Sequence, residues 1–198
     1  MTKRQFLMLA TLFEGSLVLI GMALAEWFGI RPESLLKPDL MTVPLALGGT
    51  LPLIGFLVIS DRCRPLRDLS RDLVQRLGQL IASLDRAERL YLGFLAGVTE
   101  EYLFRGVLQP EMEALWGYAA GLLLSNLLFG LLHWITPLYA GVAGILGIYL
   151  GWTLDLGPER NLMIPILVHA LYDVLALEAI GQRWRALEFS KSGYPQGS

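Results

Sequence analysis

Six stretches of the chain are apolar over a length that suits a membrane-spanning helix. A transmembrane helix needs about 20 mostly apolar residues to cross roughly 30 Å of hydrocarbon. The stretches are residues 6–30, 41–60, 90–108, 115–135, 138–156 and 162–180. We therefore predict an all-α fold, a polytopic membrane helix bundle with about six transmembrane helices.

A different periodicity fills the segment between the second and third stretches. Leucines recur there at every third or fourth position, namely Leu66, Leu69, Leu73, Leu77, Leu80 and Leu84. Arginines and aspartates occupy the other faces, so the pattern predicts one amphipathic helix. Such a helix can lie in the cytoplasmic membrane interface, or it can pack on the loops of the bundle itself. The spacing leaves both arrangements open.

Glycines at three- and four-residue spacing predict close contacts between helices. They are Gly93, Gly97, Gly141, Gly144, Gly147 and Gly151. Small residues let the backbones of two membrane helices approach each other closely.

The basic residues orient the predicted bundle. With six spans, twelve lysines and arginines fall on the side of the two termini, three fall on the other side, and Arg105 lies within a span. Because short cytoplasmic loops are enriched in lysine and arginine, we predict that both termini are cytoplasmic.

The first stretch also has features of a cleavable signal peptide. Lys3 and Arg4 precede it, and the segment from Ala23 to Ala25 resembles a cleavage site. However, Glu14 interrupts the stretch, which is long for a signal sequence. We therefore expect a retained first helix.

Composition agrees with a membrane protein. Of the 198 residues, 54% are hydrophobic and 17% are charged, whereas a soluble domain carries about 25% charged residues. The mean hydropathy of +0.51 excludes intrinsic disorder and makes a soluble monomer untenable. The net charge of −2 argues against a nucleic-acid partner. A single cysteine, Cys63, excludes an internal disulfide and a multi-cysteine zinc site.

Three charged residues interrupt the third stretch. Glu100, Glu101 and Arg105 would each cost about 2.5–3.5 kcal/mol near the centre of a membrane helix. They must therefore face the interior of the bundle or a water-filled cavity. Glu101 and Arg105 are four residues apart, on one face of the helix, and can form an ion pair. Glu100 is rotated by about 100° from Glu101, so the pair leaves it available.

The chain has only two histidines, and both lie in predicted spans. His133 shares a helix face with Phe129 and Asn126. His169 shares one with Asp173, four residues further on. A lone histidine in an apolar helix is usually a structural residue, but ionisable residues within a membrane favour a functional site. The two histidines and the acidic residues therefore predict one shared site.

These residues form three motifs, which come in order on three separate apolar stretches. The motifs are Glu100-Glu101-x-x-x-Arg105, Phe129-x-x-x-His133 and His169-x-x-x-Asp173. Together they resemble the CAAX protease and bacteriocin-processing family, which includes the type II CAAX prenyl endopeptidases. The resemblance extends from residue 90 to about residue 177. It implies a catalytic helical core, which we place at residues 90–181. We predict two spans and the amphipathic connector over residues 1–89, which match none of the motifs, and a cytoplasmic tail over residues 182–198.

The resemblance also implies an activity. Members of the family are membrane-embedded glutamic-type endopeptidases that need no cofactor. By this resemblance, Glu100 and His133 hold and deprotonate the water that attacks the scissile carbonyl. Glu101 and Arg105 position that first pair.

The last motif carries the implied oxyanion-binding residues, His169 and Asp173. The prenyl endopeptidases usually have asparagine at the second position, whereas this chain has Asp173. An ionised aspartate cannot donate a hydrogen bond to an oxyanion. Asp173 is therefore expected either to be protonated or to orient His169.

Two other classes of function stay open on the sequence. In one, a metal-dependent hydrolase uses a ligand set of Glu100, His133, His169 and Asp173, although the His-Glu-x-x-His arrangement of many zinc peptidases is absent. In the other, a membrane scaffold without enzymatic activity keeps the polar cluster as packing between helices. The metal-free peptidase is the preferred reading.

The expected partners are the lipid bilayer and a peptide substrate, which is either a membrane protein or a lipidated peptide. We expect a multi-pass protein of a bacterial inner membrane or an organellar membrane. The sequence specifies neither the substrate nor the oligomeric state.

Overall fold

The computed structural model describes residues 1–191, and within this range the chain folds into eight α-helices and no strand. The helices are α1 (Lys3–Phe28), α2 (Thr42–Ser60), α3 (Arg64–Ala82), α4 (Arg86–Leu103), α5 (Gln109–Trp116), α6 (Tyr118–Leu132), α7 (Pro137–Thr153) and α8 (Met163–Lys191). A short 3₁₀ turn, Pro32–Leu35, lies between α1 and α2. The prediction of an all-α helix bundle is confirmed.

The outer surface of the bundle is strongly apolar. Within residues 1–191, helices α1, α2 and α8 are long and apolar enough to cross a membrane, and α6 and α7 are shorter apolar helices. Many large apolar side chains are exposed, among them Leu12, Leu19, Leu51, Leu127 and Ile145. Such a surface suits lipid rather than water. The protein is therefore an integral membrane protein, while the count of six spans stays a prediction.

The third predicted span is part of a longer helical run. Helix α4 begins after Asp85, which forms a capping box with Glu88. A π-helical turn, Phe104–Leu108, then joins α4 directly to α5. Single π turns within α-helices are rare and are often found at functional sites. Arg105 lies in this turn.

Helices α4 and α8 form the centre of the bundle and run antiparallel. Arg89 contacts Glu178 at one end of the pair, and Gly97 lies against Ile166 and Ala170 at the other. A Cβ atom on Gly97 would lie 2.9 Å from both the backbone nitrogen of Ala170 and the carbonyl oxygen of Ile166. The predicted close approach is present at this position, whereas the Cβ position of Gly141 is open.

We expect Gly97→Ala to destabilise the bundle by about 1–3 kcal/mol, because an added methyl group forces two backbones apart. Gly55→Ala is the matched control, since that position in α2 has open space and alanine favours helix more than glycine does. Thermal unfolding of both variants in the same detergent measures the difference. Equal melting temperatures would refute the close-packing argument.

The amphipathic segment forms α3, and it packs against α8. Val74, Gly78 and Ile81 are buried on its inner side, and Gly78 lies directly beneath the ring of Trp184 on α8. The partner is thus the extended end of α8 rather than the loops considered from the sequence, and a position of α3 in the membrane interface stays a prediction.

Helix α8 continues through Lys191. The first part of the predicted tail, residues 182–191, thus forms its last turns. The remainder of that predicted tail, residues 192–198, lies outside the described residues.

Candidate active site

The six residues predicted from the sequence are brought together by three parts of the bundle. Glu100 and Glu101 lie on α4 and Arg105 lies in the π turn that follows it. His133 ends α6, and His169 and Asp173 lie on α8. Four of the six line one cavity of about 220 Å³, namely Glu100, His133, His169 and Asp173. Glu101 and Arg105 are fully buried beside it.

The cavity extends away from these residues along α8. At its other end it is lined by Ser60, Ser70 and Arg183, near the corner between α2 and α3. Arg183 joins the elements there, since its guanidinium donates to the Ser70 hydroxyl and, over 2.6 Å, to the Asp61 carboxylate. This corner lies on the side that the basic residues predict to be cytoplasmic. The site is thus connected to that side by the cavity.

Glu100 and His133 face each other across the cavity. Oε2 of Glu100 lies 3.7 Å from Nε2 of His133, which is too long for a direct hydrogen bond. Nδ1 of His133 lies 2.8 Å from the Phe129 carbonyl oxygen. Because a carbonyl only accepts, Nδ1 carries the proton, and in the neutral ring the Nε2 lone pair points toward Glu100.

The carboxylate of Glu100 is an unusual feature of the buried interior. Its side chain is almost fully buried, and among residues 1–191 its Oε2 atom has no hydrogen-bond partner. Buried polar atoms are nearly always paired, so an unpaired one requires a reason. The nearest basic atoms of the two histidines are 3.7 and 3.9 Å away.

Glu101 forms the ion pair that the sequence predicts. Its Oε1 atom accepts from Nη1 of Arg105 over 2.9 Å, and both side chains are 0% exposed. The same oxygen lies 2.7 Å from Nδ1 of His169. An ionised carboxylate can only accept, so Nδ1 of His169 carries a proton that is directed at Glu101.

Arg105 ties the site to two further helices. Its Nη2 atom donates to Oδ1 of Asn126 on α6 and to the Gly147 carbonyl on α7, each over 2.7 Å. The guanidinium also lies over the ring of Phe129, 4.7 Å from its centre. A Cβ atom on Gly147 would lie 2.7 Å from Oδ1 of Asn126. Glycine is therefore required where α7 passes this network.

His169 and Asp173 are one helical turn apart on α8. Nε2 of His169 lies 3.6 Å from Oδ2 of Asp173 and 3.9 Å from Oε2 of Glu100. This nitrogen therefore faces both carboxylates without bonding closely to either. Phe129 separates the two histidines, with its ring stacked on His133 at 4.3 Å and edge-on to His169 at 6.2 Å.

Two tyrosines and a glutamate near the site were not predicted as functional residues. Tyr139 and Tyr172 line the cavity, and no motif in the sequence marks them. Glu14 accepts a hydrogen bond of 2.5 Å from Thr99, next to Glu100. It thereby pairs α1 with α4.

The candidate metal ligands do not form a metal centre in this geometry. Among residues 1–191 no group of three or more His, Cys, Asp or Glu side chains is arranged to hold a metal ion. The four residues considered from the sequence share one cavity without forming such a group.

Comparison with known families finds a match to a CAAX-type membrane protease family over the segment that carries most of these residues. Residues 84–175 match the family model described as type II CAAX prenyl endopeptidase Rce1-like. This match, which covers somewhat under half of the chain, confirms the family resemblance read from the motifs. The matched segment is thus similar to the Rce1-like family, and the match supports peptidase activity. Comparisons with curated proteins and with solved structures give no match.

Proposed function

We propose that the protein is an intramembrane glutamic endopeptidase in which Glu100 and His133 activate a water molecule. The observation that carries this proposal is the unpaired Oε2 atom of Glu100, which faces Nε2 of His133 in the cavity. A water molecule about 2.8 Å from both atoms fits beside the line that joins them. Both atoms can accept its protons.

The reaction is hydrolysis of a peptide bond. Glu100 takes a proton from the water, and the water oxygen forms a bond to the carbonyl carbon, whose oxygen becomes an oxyanion. When this tetrahedral intermediate collapses, the C–N bond breaks and the leaving amine takes the proton. A carboxylate in a low-dielectric cavity is a stronger base than in water. A new carboxyl group and a new amine are the products.

The other predicted site residues have supporting roles in this proposal. Arg105 neutralises Glu101, and Glu101 in turn fixes the ring of His169 through Nδ1. His169 then directs Nε2 into the cavity. Since Nδ1 holds its own proton, His169 can donate from Nε2 only as the doubly protonated imidazolium.

The cavity suits a substrate that is partly embedded in the membrane. Away from the polar cluster its walls are formed mainly by apolar side chains of α2, α3 and α7, including Leu53, Leu57, Leu69, Val142 and Leu146. We propose a membrane protein or a lipidated peptide as the substrate, with the apolar part along these walls. We also propose that the protein crosses the membrane several times and that both termini are cytoplasmic. The membrane is a bacterial inner membrane or an organellar membrane.

The test compares new peptide ends in membranes that contain the wild type or Glu100→Gln. The wild type is expected to generate specific new termini in membrane proteins, and Glu100→Gln none of them. Glu26→Gln is the matched control, because it removes an exposed carboxylate of α1. Adding a chelator should leave the products unchanged.

Three results would contradict the proposal. Identical termini in wild-type and Glu100→Gln membranes would exclude Glu100 as the base. Loss of all products with chelator would favour a metal-dependent hydrolase. Partner proteins that are bound equally by both variants, with no new termini, would favour a scaffold.

Asp173 provides a separate prediction. Asparagine has nearly the same shape and supplies an N–H donor at any pH, so Asp173→Asn should keep most of the activity and depend less on pH than the wild type. Asp173→Ala removes the group and should lower kcat by about 10²–10³-fold. The measurement is a pH–rate profile of the three proteins. A folded but inactive Asp173→Asn variant would contradict an oxyanion role for Asp173.

A further inference from the structure

Few of the polar groups around the cavity can donate a hydrogen bond to the oxyanion of the tetrahedral intermediate. His133 presents the lone pair of Nε2, since Nδ1 donates to the Phe129 carbonyl. The neutral form of His169 also presents a lone pair at Nε2, since Nδ1 is directed at Glu101. An ionised Asp173 has no proton to donate. His169 and Asp173 can therefore donate to an oxyanion only when His169 is doubly protonated or Asp173 is protonated.

Tyr139 supplies a donor that does not depend on these protonation states. Its side chain lines the same cavity, and its ring centre lies 6.4 Å from that of His133. Within residues 1–191 its hydroxyl makes no hydrogen bond, and Asp173 and Glu100 line the same cavity. A phenol is both neutral and a good donor at ordinary pH.

The backbone around Tyr139 holds it in a fixed place beside His133. Only residues 133–136 separate α6 from α7. The Thr136 hydroxyl caps α7 by accepting from the backbone nitrogen of Tyr139 over 3.1 Å. Ala140, the residue after Tyr139, packs closely against Gly130 on α6. A Cβ atom on Gly130 would lie 2.6 Å from the Ala140 carbonyl oxygen. A rigid corner therefore carries both His133 and Tyr139.

Of two other tyrosines, Tyr149 is a control for Tyr139, and Tyr172 is the competing hydroxyl in the same cavity. The hydroxyl of Tyr149, also on α7, donates to the Gly49 carbonyl over 2.7 Å and is thus already paired. Tyr172 lines the cavity but packs against the apolar cluster that includes Leu150, Ile164 and Val168. Neither of their rings is in contact with His133.

We propose that Tyr139 is a catalytic residue whose hydroxyl donates a hydrogen bond to the oxyanion of the tetrahedral intermediate. This inference rests on the proposed peptidase function. The phenol keeps its proton throughout, so no bond to Tyr139 forms or breaks. In this arrangement the oxyanion is bound from the side of α7 as well as α8.

The first test is kinetic and uses a peptide that spans a cleavage site identified in membranes. Tyr139→Phe removes only the hydroxyl and should lower kcat by about 10²–10³-fold, with KM changed by less than about threefold, since the ground-state carbonyl needs the donor less. Tyr149→Phe, whose hydroxyl is already paired with the Gly49 carbonyl, should retain kcat within about threefold of the wild type. A wild-type kcat in Tyr139→Phe would overturn the proposal, as would an equal loss in Tyr172→Phe.

The second test uses binding and does not require turnover. The probes are a dodecanoyl tripeptide ending in leucinal and the corresponding alcohol, because the hydrated aldehyde has the tetrahedral centre that the alcohol lacks. The wild type should bind the aldehyde more tightly than the alcohol. In Tyr139→Phe the ratio of the two affinities should fall about tenfold. Tyr149→Phe is compared in the same assay and should keep the wild-type preference, with melting temperatures to verify folding.

The two tests distinguish failure of this inference from failure of the proposed function. If the wild type cleaves no peptide but prefers the aldehyde through Tyr139, the donor is supported and the peptidase proposal is not. If cleavage depends on Glu100 but both Tyr139→Phe readouts match the wild type, the donor is excluded and the peptidase proposal stands. Equal affinity of the wild type for aldehyde and alcohol counts against Tyr139.

Discussion

Glu100→Gln is expected to lower kcat by about 10²–10⁴-fold, the range typical of a lost general base. Glutamine preserves the shape of the side chain but accepts no proton at the position where Oε2 of Glu100 faces His133 across 3.7 Å. His133→Ala should cause a loss of similar size, because it removes the second acceptor for the same water. Steady-state hydrolysis of an identified substrate peptide measures both.

The double variant gives the sharper result. If Glu100 and His133 act as one unit on one water, Glu100→Gln and His133→Ala together should cost hardly more than either alone. Losses that multiply would show that the two residues act independently and would contradict the shared-water proposal. Glu26→Gln, on the exposed side of α1, should leave kcat unchanged.

Glu100→Gln should not weaken the fold. Because Oε2 of Glu100 is buried without a hydrogen-bond partner among the described residues, its charge is a cost to stability. We therefore expect the melting temperature of Glu100→Gln to equal or exceed that of the wild type. Loss of activity together with a stable fold is the pattern of a functional site. A strongly destabilised Glu100→Gln protein would instead indicate a structural carboxylate.

Much of the fold can be predicted from the sequence, because a membrane bundle is governed by a simple requirement. Apolar stretches of sufficient length form helices, and ionisable residues within them must face inward. The spacing of Glu101 and Arg105 alone predicts their contact, which the structure contains at 2.9 Å. The order of the three motifs likewise predicts that α4, α6 and α8 meet.

Other features depend on tertiary contacts that periodicity does not encode. The π turn that carries Arg105 is one, since its register follows from bonds to Asn126 and Gly147 on other helices. The packing of α3 is another, because an apolar face of leucines suits a membrane interface and the side of α8 equally. Tyr139 has no partner at helical spacing in the chain, so only the corner between α6 and α7 reveals its place beside His133.

The Glu101–Arg105 pair gives the largest expected effect on stability. Arg105→Met leaves the fully buried Glu101 carboxylate without its counter-ion, and such a loss typically costs about 3–5 kcal/mol. It also removes the bonds that join the π turn to Asn126 and Gly147. We expect a large drop in folded yield and in melting temperature in detergent. Glu101→Gln should be destabilising for the same reason, since it leaves Arg105 unpaired.

An exposed pair with the same spacing is the matched control. Arg76 and Asp72 are four residues apart on α3, with 2.8 Å between Nε and Oδ2, and both are partly exposed. Arg76→Met should change the free energy of unfolding by less than about 1 kcal/mol. A combined Glu101→Gln and Arg105→Met protein should regain part of the loss, because no uncompensated charge is left buried. If Arg105→Met were no more harmful than Arg76→Met, the buried pair would not be what holds α4, α6 and α7 together at the site.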